Sequence, residues 1–227
     1  MPTAAVRKRT PAVIAAGRIG PNAIIQTNAA LIEHAGLVAT RAVLRDAGLE
    51  RSEASPPTGM VAEEDVRRLF ISVERRLPAQ ASAILHAAGR RTARYLLVNR
   101  IPTPARWLMQ LLPPQLSAML LLHSIRRHAW TFAGSGSVTT GTTTGHAIVH
   151  IRACPVCRGV TAERPRCDFH AGTLDGLAGA LLGPFGRARE VRCAAQGADA
   201  CEFVIDWLPP GAALHRRQPC TGGSPQA

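Results

Sequence analysis

The stretch RCDFHAGTLDGLAGALLGPFGRAREVRCAAQGADACEFVIDW, residues 166–207, decides the fold of this 227-residue chain. It combines a glycine-rich amphipathic helix pattern, two short strand patterns and three of the six cysteines. Cys167, Glu190, Cys193 and Cys201 follow the spacing C-x22-E-x2-C-x7-C. Three thiolates and a carboxylate can complete a closed tetrahedral Zn²⁺ site, which contributes folding energy and leaves no position for a substrate. The pattern predicts a structural metal site, with buried free cysteines as the alternative.

A second cysteine pattern competes with the first. Cys154 and Cys157 form a C-x-x-C pair, which with Cys193 and Cys201 would make an all-sulfur zinc site. The pair is also compatible with a redox dithiol, although it follows a strand pattern and lacks the helix start that lowers the pKa of a thioredoxin-like thiol. Because this loop is long, the pair ranks second as a metal ligand set.

The segments before residue 166 change from helical to strand-like character. Apolar spacing and proline or acidic start signals predict helices over about 22–47, 63–77, 79–99 and 103–128, the last one broken at Pro113-Pro114. Thr, Val and Ile with interleaved glycines predict strands in 129–134 and 137–154, and two more lie at 190–194 and 202–207. The predicted fold is α+β: a helical N-terminal half packed on an antiparallel sheet, with a helix inserted before the last two strands.

The composition suggests one main domain with two extensions. Residues 1–20 are expected to be a mobile basic arm, residues 21–208 a single domain, and residues 209–227 a disordered tail. Within that domain, residues 166–207 form the predicted zinc-site segment. No segment is apolar over the roughly 18 residues that a membrane span needs, and no signal peptide is evident. A cytoplasmic location with reduced cysteines is the expectation.

The formal net charge of +12 does not by itself indicate nucleic-acid binding. Lys8 is the only lysine, and the arginines are scattered along every segment. Solvated helix faces are therefore favoured over a nucleic-acid surface. No phosphate loop, dinucleotide-binding fingerprint or serine-hydrolase motif is present, and the eight histidines show no metalloprotease spacing.

Two runs of residues resemble the 4-vinyl reductase domain family, including its members from bacteriochlorophyll biosynthesis. They are CDFHAGTLDGL, from Cys167 to Leu177, and EVRCAAQGADACEF, from Glu190 to Phe203. The resemblance implies an α+β ligand-binding module similar to the Bet3-type subunits of the TRAPP tethering complex, with an apolar pocket between helices and sheet. Related sensor domains of aromatic-responsive activators hold zinc with three cysteines and one glutamate. This implies Cys167, Glu190, Cys193 and Cys201 as ligands and places Cys154 and Cys157 outside the site.

The family name implies reduction of the 8-vinyl group (4-vinyl in older numbering) of a divinyl tetrapyrrole. That reaction needs an electron source, and neither a nucleotide motif nor redox-inert Zn²⁺ supplies one. The favoured hypothesis is an accessory protein or carrier that binds divinyl protochlorophyllide or a Mg-protoporphyrin-type intermediate. The alternatives are the vinyl reductase itself and a small-molecule sensor or adaptor.

The carrier hypothesis names a pocket and several partners. Apolar positions of the helical half, Trp107, Leu111, Met119 and Leu122, are the predicted pigment contacts, with ordinary core packing as the alternative. The expected partners are the Mg-tetrapyrrole, other bacteriochlorophyll-biosynthesis enzymes and a second copy in a homodimer. No catalytic residue is predicted.

Overall fold

The computed structural model describes residues 17–143 and 145–208. The predicted α+β class is confirmed, with helices first and a four-stranded antiparallel sheet toward the C-terminus. The helices are α1 (Asn22–Ala47), α2 (Arg51–Ala54), α3 (Glu63–Arg76), α4 (Ala81–Asn99), α5 (Thr103–Leu111), α6 (Pro114–Arg127), α7 (Trp130–Ala133) and α8 (Asp168–Leu181). The strands are β1 (Arg18–Ile19), β2 (Val61–Ala62), β3 (Ser137–Thr143), β4 (His146–Arg152), β5 (Arg187–Arg192) and β6 (Ala200–Asp206).

The main sheet has the order β3-β4-β6-β5, and every neighbouring pair is antiparallel. Along β4 and β6 the buried and partly exposed positions alternate, so one face of each strand faces the core. Val149, Ile151, Phe203 and Ile205 supply the inward side chains. Strand β6 lies between β4 and β5 and therefore brings the end of the chain into the centre of the sheet.

Helix α8 connects the sheet to the helical half. It packs against β5 on one side and α4 on the other, and α1 in turn packs on α4. The α4–α8 contact is close because both helices present glycine: a Cβ on Gly89 would lie 2.2 Å from the Phe169 carbonyl oxygen, and one on Gly172 would lie 2.2 Å from the His86 carbonyl oxygen. The expectation that the glycines of α8 permit close packing is confirmed at this contact.

The predicted helix starts and stops are mostly reproduced. Helix α1 ends at Gly48, which adopts a left-handed conformation as the C-cap, although Gly36 has a non-helical conformation inside the helix. The break at Pro113-Pro114 separates α5 from α6. The strand predicted over residues 129–134 is wrong, because Trp130–Ala133 form the short helix α7. A short run of aromatic and small residues cannot be assigned by periodicity alone.

The domain limits differ slightly from the predicted ones at the N-terminal side. Arg18 and Ile19 belong to β1, which pairs with β2, so the described part of the domain begins before residue 21. The remainder of the predicted arm and the predicted tail after Leu208 lie outside the described residues. Among the helices of the described ranges, none has both the length and the apolar character to cross a membrane.

Candidate metal centre

The cysteine cluster lies where four elements meet. Cys167 directly precedes α8, Cys193 follows β5, and Cys201 is the second residue of β6. All three side chains are buried. Glu190 lies on β5 next to an irregularity in the pairing with β6, between Glu190 and Arg192. The sequence had required such an irregularity for Glu190 to reach the same ion as Cys193, since alternate residues of a regular strand point to opposite faces.

The four predicted ligands come together. One ligand atom each from Cys167, Glu190, Cys193 and Cys201 lies within 4.8 Å of the others. The Sγ atoms of Cys167 and Cys201 are 3.5 Å apart, close to the roughly 3.8 Å edge of a tetrahedron of sulfurs around Zn²⁺. The backbone N–H of Ala194 donates to the Cys201 sulfur at 3.4 Å, a contact that favours a thiolate.

Cys154 and Cys157 belong to the same cluster, which the sequence ranking had not anticipated. The chain turns tightly after β4, with the N–H of Cys157 donating to the Cys154 carbonyl at 3.1 Å. Cys157 Sγ thereby lies 3.3 Å from Cys167 Sγ and 3.6 Å from both Cys193 Sγ and Cys201 Sγ. Cys154, Cys157, Cys167 and Cys201 form a second group whose sulfurs are all within 4.8 Å. The C-x-x-C spacing was the signal that indicated these residues.

The two groups overlap in Cys167 and Cys201, so the cluster contains five sulfurs and one carboxylate. The described cysteines are all free and buried. A buried four-cysteine group can hold a metal ion, since thiolates are ligands for zinc and other soft metals. The geometry therefore offers an ion more sulfur than the Cys₃Glu set requires.

The protonation of the cluster is unequal. Hydrogen bonds from the neighbouring thiols, that of Cys157 first, lower the pKa of Cys193 to about 6. The pKa of Cys201 is also lowered, chiefly through Cys154. The Cys157 pKa is raised to about 12 and that of Cys167 is raised as well, mainly through the Cys154 thiol. Two sulfurs of the cluster are thus favoured as thiolates while others retain protons.

The Glu190 carboxyl fits a metal ligand. Its Oε2 accepts a hydrogen bond from the backbone N–H of Cys167 at 2.9 Å, whereas its Oε1 is buried without a partner among the described residues. Burial raises the pKa of Glu190 to about 8, and the sulfur of Cys193 adds to this. An orphaned buried oxygen costs about 1–3 kcal/mol. Coordination of a cation by Oε1 would remove that cost, so the donor set fits Zn²⁺.

The four predicted pigment contacts lie on α5 and α6 but do not form an enclosed pocket. Trp107, Leu111 and Met119 are 66%, 85% and 53% exposed, and only Leu122 is buried, at 5%. A cavity of about 470 Å³ lies elsewhere, lined by residues of α1, α2, β2 and α3 and of the loops beside them. None of its lining residues comes from α5, α6 or the cysteine cluster.

His170, one turn into α8, is the buried histidine of the described chain. Its ring packs edge-on against Phe132, Phe169 and Phe203. The Nε2 atom lies 3.4 Å from the Phe132 carbonyl oxygen, and Nδ1 is buried without a described partner. Burial lowers the pKa of this imidazole, so its neutral form is favoured.

The cysteine cluster falls inside a known domain. The family model of the 4-vinyl reductase domain matches residues 147–206, from β4 to β6, and this confirms the resemblance seen in the sequence. The Bacteriochlorophyll synthase 23 kDa chain of Cereibacter sphaeroides is 38% identical over 198 residues, which cover 86% of this chain and 93% of the relative. This chain belongs to the same family. The Rhodobacter capsulatus protein of that name is 36% identical over 188 residues, covering 83% of this chain and 86% of the relative.

The fold also resembles solved structures of the H-NOX family. A mutant H-NOX protein from K. algicida, in its Fe(II) unliganded form, superposes with a TM-score of 0.57 at 11% identity. The match covers 85% of this chain and 98% of that protein. An H-NOX protein from a study of heme distortion has a TM-score of 0.55 at 13% identity, covering 85% of this chain and 96% of its own. At these identities the likeness concerns the fold alone.

Proposed function

We propose that this protein acts in bacteriochlorophyll biosynthesis as an accessory tetrapyrrole-binding protein. It binds a divinyl protochlorophyllide or Mg-protoporphyrin-type intermediate and presents it to partner enzymes at the step linked to 8-vinyl reduction. The observation that carries the proposal is the 38% identity to a Bacteriochlorophyll synthase 23 kDa chain over 93% of that relative. Relatives named as one chain of a synthase support partner enzymes of the same pathway.

The metal site supports a structural part of this proposal. We assign Cys167, Glu190, Cys193 and Cys201 as the ligands of one Zn²⁺, since the four donors converge and Glu190 Oε1 has no described partner. Bound zinc would supply folding energy by joining the start of α8 to the β5–β6 hairpin. Zn²⁺ in such a closed site transfers no electrons, so a vinyl reduction would take its electrons from a partner.

The pigment contacts proposed on α5 and α6 form an open face. Trp107, Leu111 and Met119 are exposed to solvent, and Leu122 lies beneath them in the core. A flat macrocycle that lies on such a face would remove apolar side chains from water at about 25 cal/mol per Å². An open site also suits a carrier, since the pigment can be released to an enzyme.

A pigment titration run beside a reductase assay tests the proposal. Purified full-length protein is titrated with divinyl protochlorophyllide and with Mg-protoporphyrin, and the pigment absorbance is followed. Binding at micromolar concentration without turnover supports a carrier. Conversion of divinyl to monovinyl pigment by this polypeptide alone, with a nicotinamide or ferredoxin donor, would show that it is the reductase. Absence of micromolar binding, together with co-purification of a biosynthetic enzyme, would favour an adaptor.

A further inference from the structure

Helices α5 and α6 expose a large apolar surface. Six side chains, each 45–85% exposed, define what we term the α5–α6 face: Trp107, Leu108, Leu111, Leu116, Met119 and Leu120. The two helices are packed on each other, with the Ser117 hydroxyl bonded to the Met109 carbonyl between them. Exposed apolar surface that is contiguous over two helices is typical of an interaction site.

Helix α6 is apolar on both sides. Its inner side buries Ala118, Leu121 and Leu122 in the core. Its outer side carries Leu116, Met119 and Leu120, which follow the i, i+3, i+4 spacing of one helical face. The core is already complete beneath this helix, so the outer apolar side chains serve no packing role among the described residues.

The charges around the face all have one sign. Residues 75–162 contain eleven arginines and not a single Asp or Glu. Arg100, Arg126 and Arg127 flank α5 and α6, are exposed, and form no salt bridge with a described residue. The apolar face is therefore bordered by cations whose counter-charges must come from another molecule.

We propose that the α5–α6 face docks on the surface of a bilayer that contains anionic lipids. The Trp and Leu side chains enter the boundary between headgroups and acyl chains, and the flanking arginines bind lipid phosphates. A bilayer supplies apolar and anionic surface together. A second copy of this chain does not fit, because two such faces would bring arginines together without a carboxylate from residues 75–162.

Docking on a bilayer does not require the pigment, although the proposed pigment contacts lie on the same helices. The experiment is therefore done without pigment, so that its failure and the failure of pigment binding are separate results. Full-length protein is sedimented with vesicles of phosphatidylcholine, with or without about one third phosphatidylglycerol. We expect binding to the anionic vesicles, weakened by added salt.

A pair of equally exposed apolar residues provides the matched test. Leu111 on α5 and Val38 on α1 are both 85% exposed. We expect Leu111→Ser to weaken vesicle binding roughly tenfold, by the apolar area withdrawn from the lipid, and Val38→Ser to leave it unchanged. Replacing Arg126 and Arg127 by Gln should weaken binding to anionic vesicles by roughly tenfold or more, whereas Arg45→Gln on α1 should not.

Several results would overturn the proposal. They are absence of binding to anionic vesicles, equal binding by the Leu111→Ser and Val38→Ser variants, and self-association of the protein that Leu111→Ser abolishes. Residues Arg7, Lys8 and Arg9 carry three more positive charges. If neutralising them abolishes vesicle binding while Leu111→Ser leaves it intact, the lipid contact lies in the N-terminal segment and the α5–α6 face is not involved.

Discussion

The Sγ atoms of Cys167 and Cys201 lie 3.5 Å apart although 34 positions separate the residues in the chain. Cys167 is at the entrance to α8, and Cys201 is in the central strand β6, so their contact closes the loop that contains α8 and β5. Both groups of potential metal ligands include this pair. Whichever further residues bind an ion, it must use these two sulfurs.

The shared pair should therefore be indispensable for the metal. We expect Cys167→Ser and Cys201→Ser each to abolish zinc binding and to lower the free energy of unfolding by several kcal/mol, because metal binding and folding are coupled. Elemental analysis and chemical denaturation measure the two effects. Cys220→Ser is the control for loss of one thiol and should retain about one zinc per chain. Full zinc occupancy in the Cys201→Ser variant would contradict the site.

The remaining ligands can be distinguished by comparing one cysteine from each group. If the ion is held by the Cys₃Glu set, Cys193→Ser loses the zinc and Cys154→Ser keeps it. The opposite result would assign the ion to Cys154, Cys157, Cys167 and Cys201. Metal content after dialysis against a moderate chelator, measured for both variants in parallel, gives the answer, and near-UV circular dichroism checks that each variant is folded.

Protons released on metal binding provide an independent count of the ligands. At pH 7 the raised pKa values of Glu190 and Cys167 keep both groups protonated, whereas the lowered values of Cys193 and Cys201 leave thiolates. Zinc binding to this set should release about two protons, measured with a pH indicator in weak buffer. The affinity should fall as the pH decreases, since protons then compete for the thiolates as well. Release of three or more protons would indicate that the protonated Cys157 thiol is also a ligand.

The contact between α4 and α8 should depend on Gly172. A methyl group there would lie 2.2 Å from the backbone oxygen of His86, which cannot move without shifting α4. We expect Gly172→Ala to destabilise the fold by about 1–3 kcal/mol. Gly179, on the same helix, is the matched control, since its added Cβ would meet atoms no closer than 3.5 Å. Gly179→Ala should be neutral or stabilising by up to about 1 kcal/mol. Equal thermal stability of the two variants would show that the close contact is not required.

Glu63 should stabilise the junction between the helices and the sheet in a pH-dependent way. Although burial opposes its charge, hydrogen bonds from the Ser135 N–H and hydroxyl and from Arg158 leave the pKa of Glu63 lowered. A lowered folded-state pKa gives stability that is present above the unfolded value of about 4.3 and is lost as the pH falls through the folded value.

Replacing the Glu63 carboxylate should show that dependence directly. We expect Glu63→Gln to cost roughly 1–3 kcal/mol at pH 7, because buried donors lose a charged acceptor, and to cost less at pH 3. The neighbouring Glu64, half exposed and paired with Arg67, is the control, and Glu64→Gln should change stability by at most about 1 kcal/mol. Urea denaturation at both pH values measures this, and a cost for Glu63→Gln that does not change with pH would contradict the assignment.

Much of the architecture was predictable because it depends on local patterns. Apolar spacing and the Gly48 stop defined α1, the acidic start defined α3, and the paired prolines separated α5 from α6. Alternating apolar residues defined the strands of the sheet. Residues 129–134 were the exception, since a single helical turn has too few residues for its period to be recognised.

The sequence by itself determined the family, the α+β class and the Cys₃Glu spacing, because these depend on residue types at fixed separations. Only the tertiary structure decided that Cys157 lies within 3.6 Å of Cys167, Cys193 and Cys201. That proximity depends on the turn after β4 and on the pairing of β4 with β6, which are long-range features. The structure likewise decided that Trp107 and Leu111 face outward, because the apolar pattern of a helix shows that it has an apolar face but not which molecule covers it.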